Sequence, residues 1–216
     1  IRVVQSIQAD VYKSGTERVV ISAPENLLDE VLVDNEGGKL YIHLRPGVHI
    51  STSKIKARIY AKDFSSIEAA SSGSIVVKDK FLQDKTDIKV SSSGSINAQD
   101  IEANSMDLQV SSSGSFTGKI WAVDLKAKVS SSGSATISGK TKTADMAASS
   151  SGVLNANDLV AETAELQASS SGVMNIAVSA VLNASASSSG SITVKKAGPL
   201  LVQKANESSS GSISVR

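Results

Sequence analysis

The chain has 216 residues, of which 40% are apolar and only 3% aromatic, so its core must be built from small and branched side chains. Its 22 basic and 21 acidic residues leave a net charge of +1, which gives no electrostatic case for binding nucleic acid or an anionic membrane. The absence of cysteine excludes disulfides, thiol catalysis and cysteine-bound zinc. No apolar run approaches the roughly 20 residues that a membrane-spanning helix needs.

The first 64 residues alternate between apolar and polar residues in several short segments, which predicts β-strands. "EVLVDNEGGKLYIHL" predicts two strands joined by a hairpin around 35–38. "APENLLDE" holds one helical turn after Pro24 or is a loop. Because an exposed terminal coil would be an open edge, we expect residues 1–64 to form an irregular β cap and to add early, irregular coils. The opening "IRVVQSIQAD" has no basic start and no apolar signal region, so we expect any export signal to lie upstream.

From residue 65 to the end, a Ser-Ser-Gly signature recurs every 18 to 21 residues, a regularity that a flexible linker would not keep. Apolar residues stand four and six positions before each glycine and two and four positions after it, with mostly polar residues between them; Glu207 is the charged exception. This period of two predicts two short, half-buried strands per repeat. The eight signature glycines are Gly73, Gly94, Gly114, Gly133, Gly152, Gly172, Gly190 and Gly211.

Two strands and a connection in about 20 residues define one coil of a β-solenoid. Since one coil cannot bury its own apolar face, successive coils must stack about 4.8 Å apart with like residues on like, such as Ile96 on Phe116. We therefore predict a single all-β domain over 1–216, a parallel β-helix in which 1–64 caps eight Ser-Ser-Gly coils over 65–216. The carboxyl end, "GSISVR", stops on a strand, which is compatible with further residues, with pairing to a second copy in a homo-oligomer, or with an edge blunted by Arg216.

Each signature glycine is predicted to form a bend that a residue with a Cβ atom would strain. The serine two positions before it has inward parity and is expected to fill the corner, whereas the serine immediately before it is expected to form an exposed hydroxyl stripe. From five positions after the glycine the pattern frays, as in "QDIEANS" and "KIWAV". We expect a third, less regular side there, which absorbs the length differences between coils and, with the serine edge, is the place for a ligand surface.

The phrases "ADVYKSG", "ENLLDEV" and "ARIYAKDFSSIEAASSGS" precede the "SSSGSINA" repeat in this order. Over nearly the whole chain they resemble the auto-transporter adhesin head domain named GIN, a family common in Bacteroidetes. The resemblance implies a right-handed parallel β-helix similar in shape to pectin-lyase-like proteins, and adhesion without known catalytic residues. It also implies export to the cell surface, the outer membrane or the periplasm, where the expected partner is a host or bacterial surface glycan or protein.

Asp79 and Asp100 both stand six positions after their glycines, and Glu102 follows closely. Clustered carboxylates of this kind are typical of β-helix carbohydrate-active enzymes, the polysaccharide lyases and hydrolases, which often bind Ca²⁺. We interpret them instead as solvated surface charges offset by nearby lysines, because Ile120 and Gly139 interrupt the column.

Other candidate residues are weaker still. His43 and His49 flank "LRPGV", but no acidic or cysteine ligand stands close to them. The repeated serines lack a paired histidine, which indicates structure rather than a nucleophile. Trp121, the lone tryptophan, either stacks on a sugar ring or packs against the protein. The sequence thus predicts no catalytic residue, metal site or cofactor, and a role in surface recognition, with a purely structural envelope role as a further alternative.

Overall fold

The computed structural model describes residues 1–48, 50 and 54–216. His49, one member of the histidine pair considered above, lies outside the described residues. The secondary structure is β apart from one short helix, α1 (Glu25–Leu28). The strands are β1 (Arg2–Val3), β2 (Gln8–Lys13), β3 (Arg18–Ser22), β4 (Val31–Glu36), β5 (Lys39–Leu44), β6 (Lys56–Ala61), β7 (Ser66–Ala69), β8 (Ser74–Val77), β9 (Phe81–Val90), β10 (Ser95–Val110), β11 (Ser115–Val129), β12 (Ser134–Ala148), β13 (Val153–Ala168), β14 (Val173–Ala186), β15 (Ser191–Lys196), β16 (Leu201–Glu207) and β17 (Ser212–Val215).

Successive coils pair in parallel and in register, so that equivalent residues lie directly over one another. Ile96 pairs with Phe116, and Phe116 pairs in turn with Ala135. All three are at most 2% exposed, as are most members of the four apolar columns. The predicted β-solenoid is therefore confirmed, and its interior is a stack of aliphatic layers. In the part of the chain that is described, no helix is long and apolar enough to cross a membrane.

The strands are longer than the repeat pattern predicted. The prediction of two short strands per coil is wrong for β10 to β14, which run for 14 to 16 residues from one Ser-Ser-Gly turn to the next. Two consecutive outward residues, such as Asn104 and Ser105, bend the strand, while parallel pairing continues on both sides of the bend. Length differences between coils appear as register shifts in the frayed part, for example between Ala98 and Ile101. That part does absorb the differences, as expected, but it does so within the sheet.

The Ser-Ser-Gly turns stack into one edge of the solenoid, which we call the serine corner. In the turn ending at Gly94, the glycine N–H donates to the carbonyl of Ser91 at 2.8 Å, and both central serines have left-handed backbones, with φ of 50° for Ser92 and 62° for Ser93. Both serine side chains are exposed, as in all eight turns. The expectation that the first serine points inward is wrong, because the strand alternation is interrupted by the left-handed turn. The exposed stripe expected of the second serine is present.

The signature glycines are needed for close approach between coils rather than for the bend itself. Their φ angles are not positive; the left-handed residues are the serines before them. A Cβ atom on Gly94 would lie 2.5 Å from the Ala69 carbonyl oxygen of the preceding coil. Bend strain at the glycine is thus the wrong explanation, and steric exclusion by the neighbouring backbone replaces it.

The amino-terminal region contains a further corner that the signature does not reveal. Gln5 and Ser6 have φ of 59° and 61°, like the paired serines, and the N–H of Ser6 donates to the Ser71 carbonyl of the next coil at 3.3 Å. Ile7 takes the place of the glycine there. β1 and β2 on either side of this corner pair in parallel with β7 and β8 of the next coil. β1, this corner and β2 thus stack on the next coil in the same way as the Ser-Ser-Gly coils stack on one another.

The outer end of this region is closed by antiparallel strands. β4 and β5 form the predicted hairpin, joined by Gly37 and Gly38 with φ of 57° and 74°. β3 pairs antiparallel with β6, which itself lies under β2. α1 supplies the single helical turn considered for "APENLLDE". Antiparallel pairing interrupts the parallel stack at this end.

Candidate ligand groove

The frayed side of the solenoid carries a concave surface of about 640 Å³ that crosses several coils. We call it the Trp121 groove. Its lining comes from the frayed segment of each coil, where equivalent residues of successive coils lie side by side. The lining residues are Leu82, Gln83, Glu102, Ala103, Asn104, Trp121, Ala122, Val123, Lys140, Thr141, Lys142, Val160, Glu162 and Ser179.

Strand register explains why these residues meet. Trp121 of β11 pairs with Glu102 of β10 on one side and with Lys140 of β12 on the other. Val160 follows in the next coil, opposite Lys140. The outward parity of this column places chemically different side chains in a row, in contrast to the uniform serine corner.

Trp121 is the dominant apolar side chain of the groove. It is 40% exposed, and Val123, two residues further on, is 44% exposed. The ammonium of Lys140 lies 5.6 Å from the centroid of the indole ring, a cation–π contact that holds the lysine beside the groove. A half-exposed indole flanked by a fixed cation is an arrangement that can stack on a ligand and attract an anion at the same point.

The charges around the groove differ in whether they are neutralised. Glu102 forms an ion pair with Lys80, and this hydrogen bond, assisted by the charge of Asp100, raises the pKa of Lys80 above its ordinary value. Lys140 and Lys142 are exposed and form no ion pair with the residues that the structure describes. The groove therefore presents two lysines without an ion pair. Lys140 lies against Trp121, and Lys142 stands opposite Glu162 in the register of β12 on β13.

The three candidate carboxylates have separate surroundings. Asp79 is exposed and accepts a hydrogen bond from the Lys13 N–H at 2.8 Å. Asp100 is half-buried, and its Oδ1 has no hydrogen-bond partner among the described residues. The coil that carries Asp79 has one more residue between its paired strands than the next coil, so Asp79 and Asp100 are not register partners. Only Glu102 lines the groove.

The expectation that no acidic side chain stands close to His43 is wrong, because the β4–β5 hairpin brings Asp34 to it. The Nε2 atom of His43 lies 2.8 Å from a carboxylate oxygen of Asp34, its Nδ1 atom lies 2.8 Å from the Leu44 carbonyl, and its ring stacks on Tyr41 at 4.2 Å. Within 1–48, 50 and 54–216, no three histidine, aspartate or glutamate side chains are grouped as a metal site would require.

Sequence reasoning singled out Trp121 and Glu102 but missed the side chains that surround them. Lys140, Lys142 and Val123 are ordinary exposed residues of a strand when read alone, and only the coil register brings them to Trp121. The available signal was the position of the frayed segments, which were expected to carry any ligand surface.

The fold and this surface define a β-solenoid protein with an elongated groove along one side. The family model described as "Putative auto-transporter adhesin, head GIN domain" matches residues 1–119 and 99–198. The chain therefore belongs to this family, as the resemblance predicted. No curated protein sequence matches the chain.

Solved structures share the fold over the whole chain. A putative adhesin from Parabacteroides distasonis is 21% identical and aligns with a TM-score of 0.89, covering 100% of this chain and 91% of that one. A putative lipid binding protein from the same species is 23% identical, with the same TM-score and coverage. A putative adhesin from Parabacteroides merdae is 20% identical, with a TM-score of 0.82 over 100% of this chain and 90% of that one. At such identities the likeness establishes the solenoid fold alone.

Proposed function

We propose that this protein is an exported, non-catalytic recognition module that binds a surface glycan or protein along the Trp121 groove. Membership in an adhesin family supports a surface adhesion-type role. The single observation that carries the proposal is the half-exposed Trp121 in a concave surface built from several coils. A rigid solenoid presents such a groove with little loss of conformational entropy on binding.

Recognition is favoured over catalysis because two of the three candidate carboxylates have other partners and the third, Asp100, does not line the groove. An acid–base or metal mechanism needs two or more carboxylates directed at one reacting centre. Asp79 caps a backbone N–H, and Glu102 is neutralised by Lys80. The serine corner supports a structural role for its serines, whose backbones link successive coils.

The test is an array of glycans, extracellular matrix proteins and phospholipid vesicles, probed with the wild-type chain and with Trp121→Ala. The lipid arm is included because one structural neighbour is described as a putative lipid binding protein. The proposal predicts specific retention on glycan or protein spots, lost in Trp121→Ala, with no change in the mass of the bound ligand. Absence of retention, retention unaffected by Trp121→Ala, or turnover of the ligand would each contradict it.

A further inference from the structure

The Trp121 groove combines two features that together specify a class of ligand. One is a half-exposed aromatic ring, which favours a partner with a flat apolar face. The other is a pair of exposed lysines, Lys140 and Lys142, that form no ion pair in the described part of the chain. Acidic polysaccharides carry both complementary features, because the C–H face of a sugar ring stacks on indole while its carboxylate or sulfate pairs with an ammonium group.

The cations are placed to act together with the ring. Lys140 and Lys142 are alternate residues of β12, and both line the groove. The cation–π contact with Trp121 favours side-chain conformations that keep the Lys140 ammonium beside the ring, so less side-chain entropy is lost when an anion binds there. Glu162 in the next coil is also exposed and forms no ion pair with Lys142 among the described residues. Because the register of β12 on β13 places Glu162 opposite Lys142 and Val160 opposite Lys140, the positive region is centred on Lys140, beside Trp121.

The dimensions of the groove favour a chain of sugars over a single ring. The lining column from Leu82 to Val160 spans five successive coils, or about 19 Å at a coil spacing of about 4.8 Å. A column of this length can be covered by an extended oligosaccharide, whereas a single sugar ring covers only part of it. Asn104 and Ser179 lie along the same surface. The Asn104 amide donates to Asp84 at 2.8 Å and the Ser179 hydroxyl donates to the Ala161 carbonyl at 3.2 Å, so their side-chain oxygens are left to accept hydrogen bonds from sugar hydroxyls.

The lining argues against an acyl chain as the occupant. More than half of the lining residues are polar or charged, and the large apolar side chains Leu82 and Val123, at 61% and 44% exposure, lie at the open surface. Fatty acyl chains gain their binding free energy from removing apolar surface from water in enclosed sites. An open, mixed surface supplies little of that free energy.

We propose that the Trp121 groove binds an acidic polysaccharide, with Trp121 stacked on one sugar ring and with Lys140 and Lys142 paired to its anionic groups. This inference rests on the proposed recognition function and specifies its ligand class. Each contact at such an exposed site is weak, and affinity for a long polymer comes from repeated engagement of several copies or several segments.

The experiment uses Trp121 as its own reporter, because it is the only tryptophan of the chain. Tetramers of galacturonate, mannuronate and hyaluronan are titrated into the wild-type chain while the tryptophan fluorescence is recorded. Each is matched by its carboxyl-reduced, neutral counterpart. At least one acidic tetramer is expected to bind about tenfold more tightly than its neutral form, an advantage that added salt removes.

Variants assign the effect to the groove. Lys140→Gln combined with Lys142→Gln is expected to weaken binding of the acidic tetramer about tenfold. The matched control is Lys89→Gln combined with Lys128→Gln, which removes the same charge from exposed positions outside the groove and is expected to leave affinity within about twofold of the wild type. Affinity of the Trp121 variants for the acidic tetramer is measured by calorimetry. Trp121→Phe should retain most of the affinity, and Trp121→Ala should lose most of it. Unfolding midpoints confirm that all variants fold.

The outcomes separate this inference from the proposed function. Equal affinity for acidic and neutral tetramers, or equal loss in the groove and control variants, overturns the acidic-polysaccharide proposal. Trp121-dependent binding of a neutral glycan or a protein on the array, without binding of the acidic tetramers, also overturns it but leaves the recognition function standing. If nothing on the array or among the tetramers binds, both proposals fail.

Discussion

Alanine substitution at the signature glycines should destabilise the solenoid in proportion to how closely the preceding coil approaches. A Cβ atom at position 94 would lie 2.5 Å from the Ala69 oxygen and 2.7 Å from its carbonyl carbon, whereas at Gly133 the nearest atoms are 3.0 Å away. Ordinary contact begins at 3.4 Å, so the neighbouring backbone must move by about 0.9 Å in the first case and about 0.4 Å in the second.

The expected magnitudes follow from these displacements. Overpacking by one methyl group typically costs about 1–3 kcal/mol. In Gly94→Ala the Ala69 carbonyl also accepts the Ser91 N–H at 3.0 Å, and displacing it loses a further net contribution of about 1 kcal/mol. The equivalent bond, from Ser130 N–H to the Val110 carbonyl at 2.9 Å, is disturbed less in Gly133→Ala because the displacement is smaller. We therefore expect Gly94→Ala to lower the free energy of unfolding by about 2–4 kcal/mol and Gly133→Ala by about 1–2 kcal/mol.

The assay is guanidinium chloride unfolding followed by far-ultraviolet circular dichroism, with Ser93→Gly as the control at the same turn. Glycine relieves a left-handed serine that costs about 1–2 kcal/mol but adds chain entropy to the unfolded state, so Ser93→Gly should change stability by less than about 1 kcal/mol. Equal losses for the two alanine variants, or a larger loss for Ser93→Gly than for Gly94→Ala, would refute the steric account of the serine corner.

Three other perturbations test the core and the groove. Thr86 is fully buried and its hydroxyl has no hydrogen-bond partner among the described residues. Thr86→Val should therefore raise the free energy of unfolding, measured by chemical denaturation, by about 1 kcal/mol. A lower free energy of unfolding would show that the hydroxyl is bonded. A Cβ atom on Gly118 would lie 2.7 Å from the Phe116 ring, so Gly118→Ala should destabilise the protein by about 1–3 kcal/mol, and Phe116→Leu in the same chain should recover part of that loss in a double-mutant cycle. Additive effects would mean that the two sites do not share space. The pKa of Lys80 is raised in the folded state because Lys80 pairs with Glu102. This pairing therefore stabilises the folded state fully when the pH is below the unfolded pKa of 10.5, and the stabilisation is lost as the pH rises through the folded pKa. Glu102→Gln should therefore lower the unfolding midpoint at about pH 9, with a difference that shrinks above about pH 10.5, whereas a difference that grows with pH would reverse the assigned sign.

The repeat could be predicted because each copy is a short local pattern and the chain contains eight copies of it. One alternating segment is ambiguous, but eight copies in register predicted the coil, its core columns and the pairing of Ile96 with Phe116. The corner at Gln5 and Ser6 escaped because Ile7 replaces the glycine. Neither residue type suggests a left-handed backbone, and only the stacking beneath the next coil reveals the turn.

The groove and the corner geometry depend on relations between coils. The alternation of inward and outward residues predicted that Ser92 points into the core. The left-handed turn interrupts this alternation, and the residue types did not reveal the interruption. Trp121 was identifiable as a candidate from its rarity. Its neighbours Lys140 and Lys142 stand about one coil away in sequence, so their placement required the register of β11 on β12.

The most direct test of the account measures how distance grows from coil to coil. Asn97 lies in one vertical column with Asn175, Thr193 and Ser214, through an unbroken series of register partners. The chain has no cysteine, so Asn97→Cys can be combined with a cysteine at each of the other three positions, spin-labelled and measured by double electron–electron resonance. Stacking predicts backbone separations of about 19, 24 and 29 Å, rising by about 4.8 Å per coil. Distances that fail to rise in equal steps would contradict the solenoid and, with it, the groove that the coils build.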